Sequence, residues 1–324
     1  MRDYELSRER DISIDGEPHR VVPELFEYSI ARKEGASTSL RPCIMALSGG
    51  NRGVNSGATF AALESLGMSK AAKYLIGSSA GYAGVLYYAA GNAQQGVKHF
   101  SQYCTSPDFF NIRRLGNQVN IPGLVQQFKS SEERALRLNP NASIRSGIQI
   151  FTPLTNAETG ATLLFSPRTA SDVMKSLQAA MSLPGLTEQA VHIDGVRYVD
   201  SSLADPFPFM SLLKVLAPED VPTSILILAN RPRTYDRKGR ELLAKFMERE
   251  HVDPQLISLA LQEEELFEAN MRELKGSGIP FCIIWSDDTL PDFTSKRELI
   301  GAAELKMSKV ATSMFLHYRP ERRD

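Results

Sequence analysis

One segment of the 324-residue sequence holds a serine in a setting that favours nucleophilic chemistry. The sequence GSSAG at 77–81 follows a short apolar run and precedes small and apolar residues that are typical of a helix. A G-x-S-x-G sequence at such a junction is typical of a nucleophile elbow, because its glycines permit a sharp turn that exposes the serine oxygen. The middle residue, Ser79, would lie near the helix N-terminus, where the helix dipole favours developing negative charge. The alternative is a plain tight turn.

A second segment, SGGNRG at 48–53 (the oxyanion loop below), also lies between a predicted strand and a predicted helix. Consecutive backbone N–H groups at a helix N-terminus bind anions, so the loop suits either a phosphate or the oxyanion of an acyl-transfer intermediate. It lacks a Walker lysine and the G-x-G-x-x-G spacing, which disfavours nucleotide binding. A glycine-rich helix start without any ligand is the third interpretation. One helix and one strand fit between Gly49 and Ser79, so both segments should lie at one edge of a parallel sheet.

Asp200 is the candidate base. It follows the hairpin signal Asp194-Gly195, which is flanked by VHI and VRYV, and it precedes two serines. An unperturbed aspartate has a pKa of about 3.9 and is a poor base at neutral pH. It would need to lie within hydrogen-bond reach of the serine, in surroundings that raise its pKa. Considered alone, Asp200 is more simply interpreted as a turn or cap residue.

The elements that position these residues follow from apolar patterning. Continuous runs of Ile, Val and Leu favour strands buried on both faces, and alternation with helical segments predicts an α/β fold. We predict strands at 42–47, 74–77, 147–154, 161–165, 224–229 and 281–285, and helices at 54–66, 79–91, 170–181, 207–217, 254–276 and about 295–314.

Three other segments have weaker patterns. Residues 1–40 are polar and we expect them to be irregular, while 92–146 is either a cap region or irregular packing. Residues 71–91 approach the length of a membrane span, but the GSSAG interruption favours a strand, a turn and a buried helix.

Composition excludes several classes of protein. The chain has 37 Lys+Arg and 38 Asp+Glu, so its net charge of -1 gives no electrostatic case for nucleic acid. A hydrophobic content of 42% argues against disorder, and three scattered cysteines are too few for a disulfide framework or a CxxC metal site. The charged N-terminus lacks the apolar region of a secretory signal and predicts a cytoplasmic protein. Residues 231–240, with five basic residues and one acidic residue, suit peripheral contact with anionic lipid, although a solvated surface is the commoner explanation.

Taken together, SGGNRG, GSSAG and the DSS that begins at Asp200 resemble the motifs of the patatin-like phospholipase family, which shares its Ser-Asp dyad with cytosolic phospholipase A enzymes. Flanking sequences agree over about 42–230, including AALESLG, TNAETGATLLFS and AAMSLPGLTEQAVHIDGVRYVD. The resemblance implies a three-layer α/β/α fold with a mostly parallel central sheet. It implies a catalytic domain over 41–324 after an N-terminal extension at 1–40, and it leaves 231–324 less firmly assigned.

The family's motifs also imply roles for individual residues. Ser79 would be the nucleophile and Asp200 its base, with no histidine, metal or organic cofactor. Arg52 matches a basic position that would meet the lipid phosphate, and the oxyanion N–H groups would come from Gly49, Gly50 and Asn51. The implied reaction is hydrolysis of a glycerolipid ester, of phospholipase A or lysophospholipase type, through an acyl-enzyme.

Departures from the family's motifs leave two alternatives open. Ser48, Ser201 and Ser202 replace small residues of the motifs, and a serine would strain the backbone wherever φ must be positive. Reduced activity, or a catalytically silent lipid-binding protein, would then result. The other alternative is an α/β-hydrolase triad of Ser79 with Asp287 or Asp288 and His317, in the chain order that this class uses.

Overall fold

The computed structural model of the protein describes residues 12–111, 113–114, 118–130, 137–187, 190–234, 237–287 and 289–321. Within these ranges nine strands form one sheet. The strands are β1 (Ile14–Gly16), β2 (Pro42–Ala46), β3 (Tyr74–Gly77), β4 (Gln149–Asn156), β5 (Thr162–Phe165), β6 (Val191–Ile193), β7 (Val196–Val199), β8 (Ser224–Ala229) and β9 (Phe281–Trp285). Their order is β1-β9-β8-β2-β3-β4-β7-β6, and β5 pairs with β4. The central strands β9, β8, β2, β3 and β4 run parallel, and the others pair antiparallel at the margins.

Helices occupy most of the connections between these strands. They are α1 (Pro18–Glu34), α2 (Gly53–Ser65), α3 (Ala80–Ala89), α4 (Ala93–Tyr103), α5 (Ile121–Ser130), α6 (Pro140–Ile144), α7 (Ala170–Ala180), α8 (Phe209–Val215), α9 (Arg237–Arg249), α10 (Pro254–Leu261), α11 (Glu263–Gly276) and α12 (Arg297–His317). Local signals explain several of their ends. For example, Thr169 and Asp172 form a reciprocal capping box at the start of α7.

Side chains of the central strands alternate between two apolar layers, because successive residues of a strand point to opposite faces of the sheet. Along β2, Ile44 and Ala46 pack with α1, α2, α3 and α12, whereas Cys43 and Met45 pack with α8 and α11. Both faces are therefore covered by helices, and every residue of β2 and β8 is buried, as their continuous apolar runs require. The prediction of a three-layer α/β/α fold with a mostly parallel sheet is confirmed.

Residues 14–34 differ from the expectation that the N-terminal region is irregular, which is wrong for this range. Strand β1 pairs antiparallel with β9, and α1 contributes Val21, Val22 and Leu25 to the core. The helix begins at Pro18, where the missing N–H costs nothing, and it ends at Gly35 with φ 69°. A three-residue edge strand and a helix rich in charged residues leave little apolar pattern for sequence analysis to detect.

The predicted helix at 254–276 is two helices. Helix α10 ends at Leu261, and the N–H of Gln262 is shared between the carbonyls of Ser258 and Leu259. Three glutamates, at 263–265, then occupy the first turn of α11, where the positive end of the helix dipole favours them.

Within the described ranges, no helix combines the length and apolar character that crossing a membrane requires. Residues 71–91 instead contain β3, the turn at Ser79 and α3, as the interrupted apolar pattern predicts.

Candidate active site

Ser79 lies in the turn between β3 and α3 with φ 50° and ψ -126°, a conformation that non-glycine residues rarely adopt. Close packing explains the two glycines beside it. A Cβ on Gly77 would lie 2.4 Å from Cα of Tyr82, and a Cβ on Gly81 would lie 2.3 Å from the carbonyl oxygen of Ala46. Because only glycine fits at either position, the chain can turn sharply and present the serine at the carboxyl edge of the sheet.

The side chains of Ser79 and Asp200 meet directly, although 121 residues separate them in the chain. The hydroxyl of Ser79 donates to Oδ2 of Asp200 at 2.7 Å, and Oδ1 of the same carboxylate accepts from the N–H of Ser202 at 2.8 Å. The backbone of Asp200 is also fixed: its N–H donates to the carbonyl of Ser182, and its own carbonyl accepts from the hydroxyl of Thr155. The carboxylate is therefore held in one orientation toward the serine.

Burial sets the proton affinity of Asp200, which is only 2% exposed. Desolvation raises the pKa of its carboxyl group, while hydrogen bonds from Ser202 and Ser79 and the charge of Arg240 oppose this. A carboxylate with a raised pKa is a stronger base, so the direction of the shift favours proton abstraction from the serine.

The oxyanion loop lies beside this turn because β2 and β3 are adjacent parallel strands. A Cβ on Gly49 would lie 1.9 Å from the carbonyl oxygen of Asn230, so the loop passes against the end of β8. The buried Asn230 amide fixes the approach: it donates to the carbonyl of Leu47 at 2.6 Å and accepts from the N–H of Ser56 at 3.0 Å. Asn230 has no motif around it, and sequence analysis did not select it.

The N–H groups of Gly49, Gly50 and Ala80, all near Ser79, donate to no group among the described residues. The first two are predicted oxyanion donors. The third was missed, although an elbow normally places the N–H after its serine at the developing oxyanion.

Asn51 and Arg52 are engaged elsewhere. The N–H of Asn51 donates to the carbonyl of Asp292 at 2.6 Å, which corrects the expectation that it serves the oxyanion. The guanidinium of Arg52 donates to the carbonyl of Leu290 at 2.6 Å and pairs with the carboxylate of Asp292 at 2.5 Å.

A cavity of about 490 Å³ adjoins Ser79 and Asp200, within the usual range for sites that hold a small ligand. Apolar side chains form most of its wall. Many of them come from the predicted cap segment and from α9, including Phe100, Phe109, Phe110, Leu242, Leu243 and Phe246. That 92–146 forms a separable cap stays a prediction.

Polar and charged residues also line the cavity. Gln118 is 2% exposed, and its Oε1 has no hydrogen-bond partner within the described part of the chain. Arg231 and Arg240, from the basic segment at 231–240, line the cavity. Arg240 pairs with the buried Glu263, and Arg231 pairs with Glu264 at 2.5 Å.

The alternative triad is not assembled. His317 is exposed at the end of α12, and Asp287 accepts hydrogen bonds from Thr289 and Lys306. Asp288 lies outside the described residues. No histidine is among the described residues that line the cavity.

The serines that depart from the family's motifs are not strained. Positive φ occurs, among described non-glycine residues, at Ser79, Asp194 and His251, and so at none of Ser48, Ser201 and Ser202. The condition under which a serine would strain the backbone, a positive φ, is therefore not met at these positions.

The cysteines and acidic residues form no metal site in the described ranges, where no three His, Cys, Asp or Glu side chains are grouped to hold an ion. Cys43, Cys104 and Cys282 are separately buried thiols, and burial raises the pKa of each.

Comparison with known proteins adds to this geometry. A crystal structure of VipD from Legionella pneumophila is similar over 87% of this chain and 67% of that chain, with 12% sequence identity and a TM-score of 0.43. No curated protein matches the sequence. The family model for the patatin-like phospholipases matches residues 45–213, and members of that family are lipid acyl hydrolases. Since the match spans more than half of the 324 residues and includes the oxyanion loop, the elbow and Asp200, the chain belongs to the patatin-like phospholipase family.

Proposed function

We propose that the protein hydrolyses glycerolipid esters, as a phospholipase A or lysophospholipase, with Ser79 as nucleophile and Asp200 as base. The observation that carries the proposal is the 2.7 Å hydrogen bond between these side chains at the wall of an apolar cavity. The apolar wall suits an acyl chain, and the free N–H groups of Gly49, Gly50 and Ala80 suit an oxyanion.

The first half of the reaction transfers the acyl group to the enzyme. Oγ of Ser79 attacks the ester carbonyl carbon while Oδ2 of Asp200 takes its proton. Negative charge moves to the carbonyl oxygen, where backbone N–H groups and the N-terminus of α3 stabilise it. When the tetrahedral intermediate collapses, the bond to the glycerol oxygen breaks, and protonated Asp200 returns the proton to that oxygen.

The second half releases the fatty acid. Asp200 takes a proton from a water molecule, which attacks the acyl carbon, and a second tetrahedral intermediate forms at the same donors. Its collapse breaks the bond to Oγ, and the proton on Asp200 passes back to Ser79. One carboxylate thus serves as base and acid in turn, a task that its raised pKa favours.

The test is fatty acid release from vesicles of phospholipid, lysophospholipid or neutral glyceride. Wild type is compared with Ser79→Ala and Asp200→Asn, which should lose hydrolysis while remaining folded. Ser78→Ala is the matched control, because Ser78 is the neighbouring serine, is fully buried and has no hydrogen bond from its hydroxyl to any described group. Wild-type turnover by Ser79→Ala would refute the proposal.

An inactive wild type would leave the silent alternative to be tested. Labelling of Ser79 by an acyl phosphonate would then show a competent nucleophile that needs an activator or another substrate. Absence of labelling would favour a catalytically silent lipid-binding protein.

The proposal includes peripheral contact with the membrane that contains the substrate. Leu242 supports it, since this side chain both lines the cavity and is 55% exposed. Co-sedimentation with phospholipid vesicles should weaken in Leu242→Glu and be unchanged in Leu305→Glu, whose equally exposed leucine is not among the cavity-lining residues.

A further inference from the structure

A short segment from the C-terminal part of the chain lies against the oxyanion loop. Residues 290–294, called the strap below, precede α12 and join the cavity wall through Phe293, whose ring stacks on Phe110 with centroids 5.5 Å apart. The family match ends at residue 213, so nothing in the match assigns a role to this segment.

Backbone contacts fix the strap against the middle of the loop. The N–H of Asn51 donates to the carbonyl of Asp292, and its side-chain amide donates to the carbonyl of Thr294 at 2.8 Å. Gly50 has φ 53°, and a Cβ there would lie 2.3 Å from the same Asp292 carbonyl oxygen. The backbone of the loop therefore contacts the backbone of the strap, with no room for a Cβ at position 50.

The side chain of Arg52 makes two further contacts with the strap. Its Nε donates to the carbonyl of Leu290 at 2.6 Å and its Nη1 meets the carboxylate of Asp292 at 2.5 Å, so the guanidinium spans three residues of the strap. The Arg52 side chain is only 16% exposed, whereas that of Asp292 is 54% exposed. A planar guanidinium makes these contacts from two separate nitrogens in a fixed geometry, whereas a lysine ammonium offers one nitrogen.

We propose that Arg52 is a positioning residue and does not bind the lipid phosphate. Through its contacts with residues 290–294, it holds Gly49 and Gly50 where their N–H groups meet the oxyanion. This role rests on the proposed function. Arg52 follows the two glycines within the same short loop, so a shift of its anchor moves both donors. Misplacement of catalytic groups by about 1 Å can reduce turnover about a hundredfold.

The deciding measurement uses an ester that has no phosphate. Arg52→Lys keeps the positive charge but loses the contacts that the two guanidinium nitrogens make with the strap. We expect kcat to fall about tenfold to a hundredfold on both p-nitrophenyl butyrate and phosphatidylcholine vesicles, with KM changed by less than about threefold. A phosphate ligand would behave differently: KM would rise on the phospholipid alone, and turnover of p-nitrophenyl butyrate would stay at the wild-type value. That result would overturn the proposal.

Asp292→Asn is the second variant, in case Arg52→Lys fails to fold. It removes one exposed ion pair but leaves the backbone carbonyl that Asn51 uses, so kcat should fall by no more than about fivefold on both substrates. The effects of the two substitutions should be less than additive, because both act on one contact. Arg20→Lys is the matched control: Arg20 pairs with Glu17 on the surface of α1 at 2.8 Å, and its loss should leave kcat unchanged.

Amide hydrogen exchange separates failure of this inference from failure of the proposed function. Exchange of the Asn51 N–H should be faster in Arg52→Lys than in wild type or Arg20→Lys, whether or not the protein hydrolyses any ester. With this exchange pattern, a wild type that is inactive and whose Ser79 is not labelled by the acyl phosphonate would refute the proposed function and leave the contact between loop and strap supported. Unchanged exchange of the Asn51 N–H in Arg52→Lys would refute the proposal that Arg52 anchors the loop to the strap.

Discussion

Replacing Asp200 with asparagine should separate activity from stability, and the structure gives the direction of both effects. Asparagine has the shape of aspartate, and its Oδ1 can still accept from the N–H of Ser202. It cannot take the proton of Ser79. Since a general base contributes about 10²- to 10⁴-fold, hydrolysis should fall by that factor, equivalent to about 3 to 5 kcal/mol of transition-state stabilisation.

Stability should change in the opposite direction. Burial raises the pKa of Asp200, so the folded protein keeps this proton at pH values where the unfolded chain, with a pKa of 3.8, has lost it. The free energy of unfolding therefore decreases as the pH rises through the interval between these two pKa values, by at most about 1.4 kcal/mol per pH unit. Asparagine does not titrate, so Asp200→Asn should be more stable than wild type above that interval, by an amount that no longer changes with pH.

Urea denaturation of both proteins, at pH values from about 4 to 8, measures this difference. Asp172→Asn is a control of opposite sign. Slight burial raises the pKa of Asp172, but hydrogen bonds from the backbone N–H groups of Arg168 and Thr169 outweigh it and lower the pKa. The free energy of unfolding of that variant should be lower than that of wild type at neutral pH. The difference between the two proteins should decrease as the pH falls. If Asp200→Asn is less stable than wild type at neutral pH, or gains stability without any pH dependence, the account of Asp200 as a desolvated base is refuted.

Three further substitutions test the packing around the site. Gly81→Ala should lower the melting temperature and abolish hydrolysis, because its Cβ would lie 2.3 Å from a backbone oxygen. Gly84→Ala in the same helix is the control and should be tolerated, because its Cβ would meet nothing closer than 3.4 Å. Equal melting temperatures of the two variants would contradict this. Gln118→Leu should raise the free energy of unfolding by about 1 to 3 kcal/mol by removing a buried acceptor without a partner, and a loss of stability in urea denaturation would show that the amide is satisfied. Asp205→Asn should be stabilising above pH 6, since burial raises the pKa of Asp205 from 3.8 to about 6 despite the hydrogen bond from Ser211 and the charge of Lys214. The free energy of unfolding should increase by up to about 3 kcal/mol, reduced by whatever the lost hydrogen bond contributes. In urea denaturation this increase should appear between about pH 4 and pH 6. An increase that is the same at all pH values would refute the assignment.

The parts of the site that sequence analysis predicted depend on local signals. GSSAG needs only its own glycines to turn between β3 and α3, and the hairpin at Asp194-Gly195 forms because both residues adopt positive φ, at 50° and 82°. Strands β3, β8 and β9 have the predicted bounds, since each is a continuous apolar run between polar residues. The adjacency of β2 and β3 followed from the short connection between them.

The parts that sequence analysis missed depend on distant partners. Asn230 supports Leu47 across 183 residues, and Asn51 contacts Thr294 across 243. A buried asparagine or an occupied backbone N–H has no pattern of its own, so only the folded structure could show that Asn51 is unavailable and that Arg52 is held by the strap. Arg231 and Arg240 were interpreted as surface charges for the same reason, because Glu263 and Glu264 are not near them in sequence.

The separation between the oxyanion loop and residues 290–294 bears on when the protein becomes competent during its synthesis. Proteins emerge from the ribosome N-terminus first, so Ser79 and Asp200 leave it before the strap does. Until residues 290–294 have been translated and folded back, Asn51 and Arg52 lack their partners and the loop is not anchored. If Ser79, Asp200 and Arg52 have the proposed roles, a nascent chain that already contains Ser79 and Asp200 would thus have poor turnover until residues 290–294 are in place.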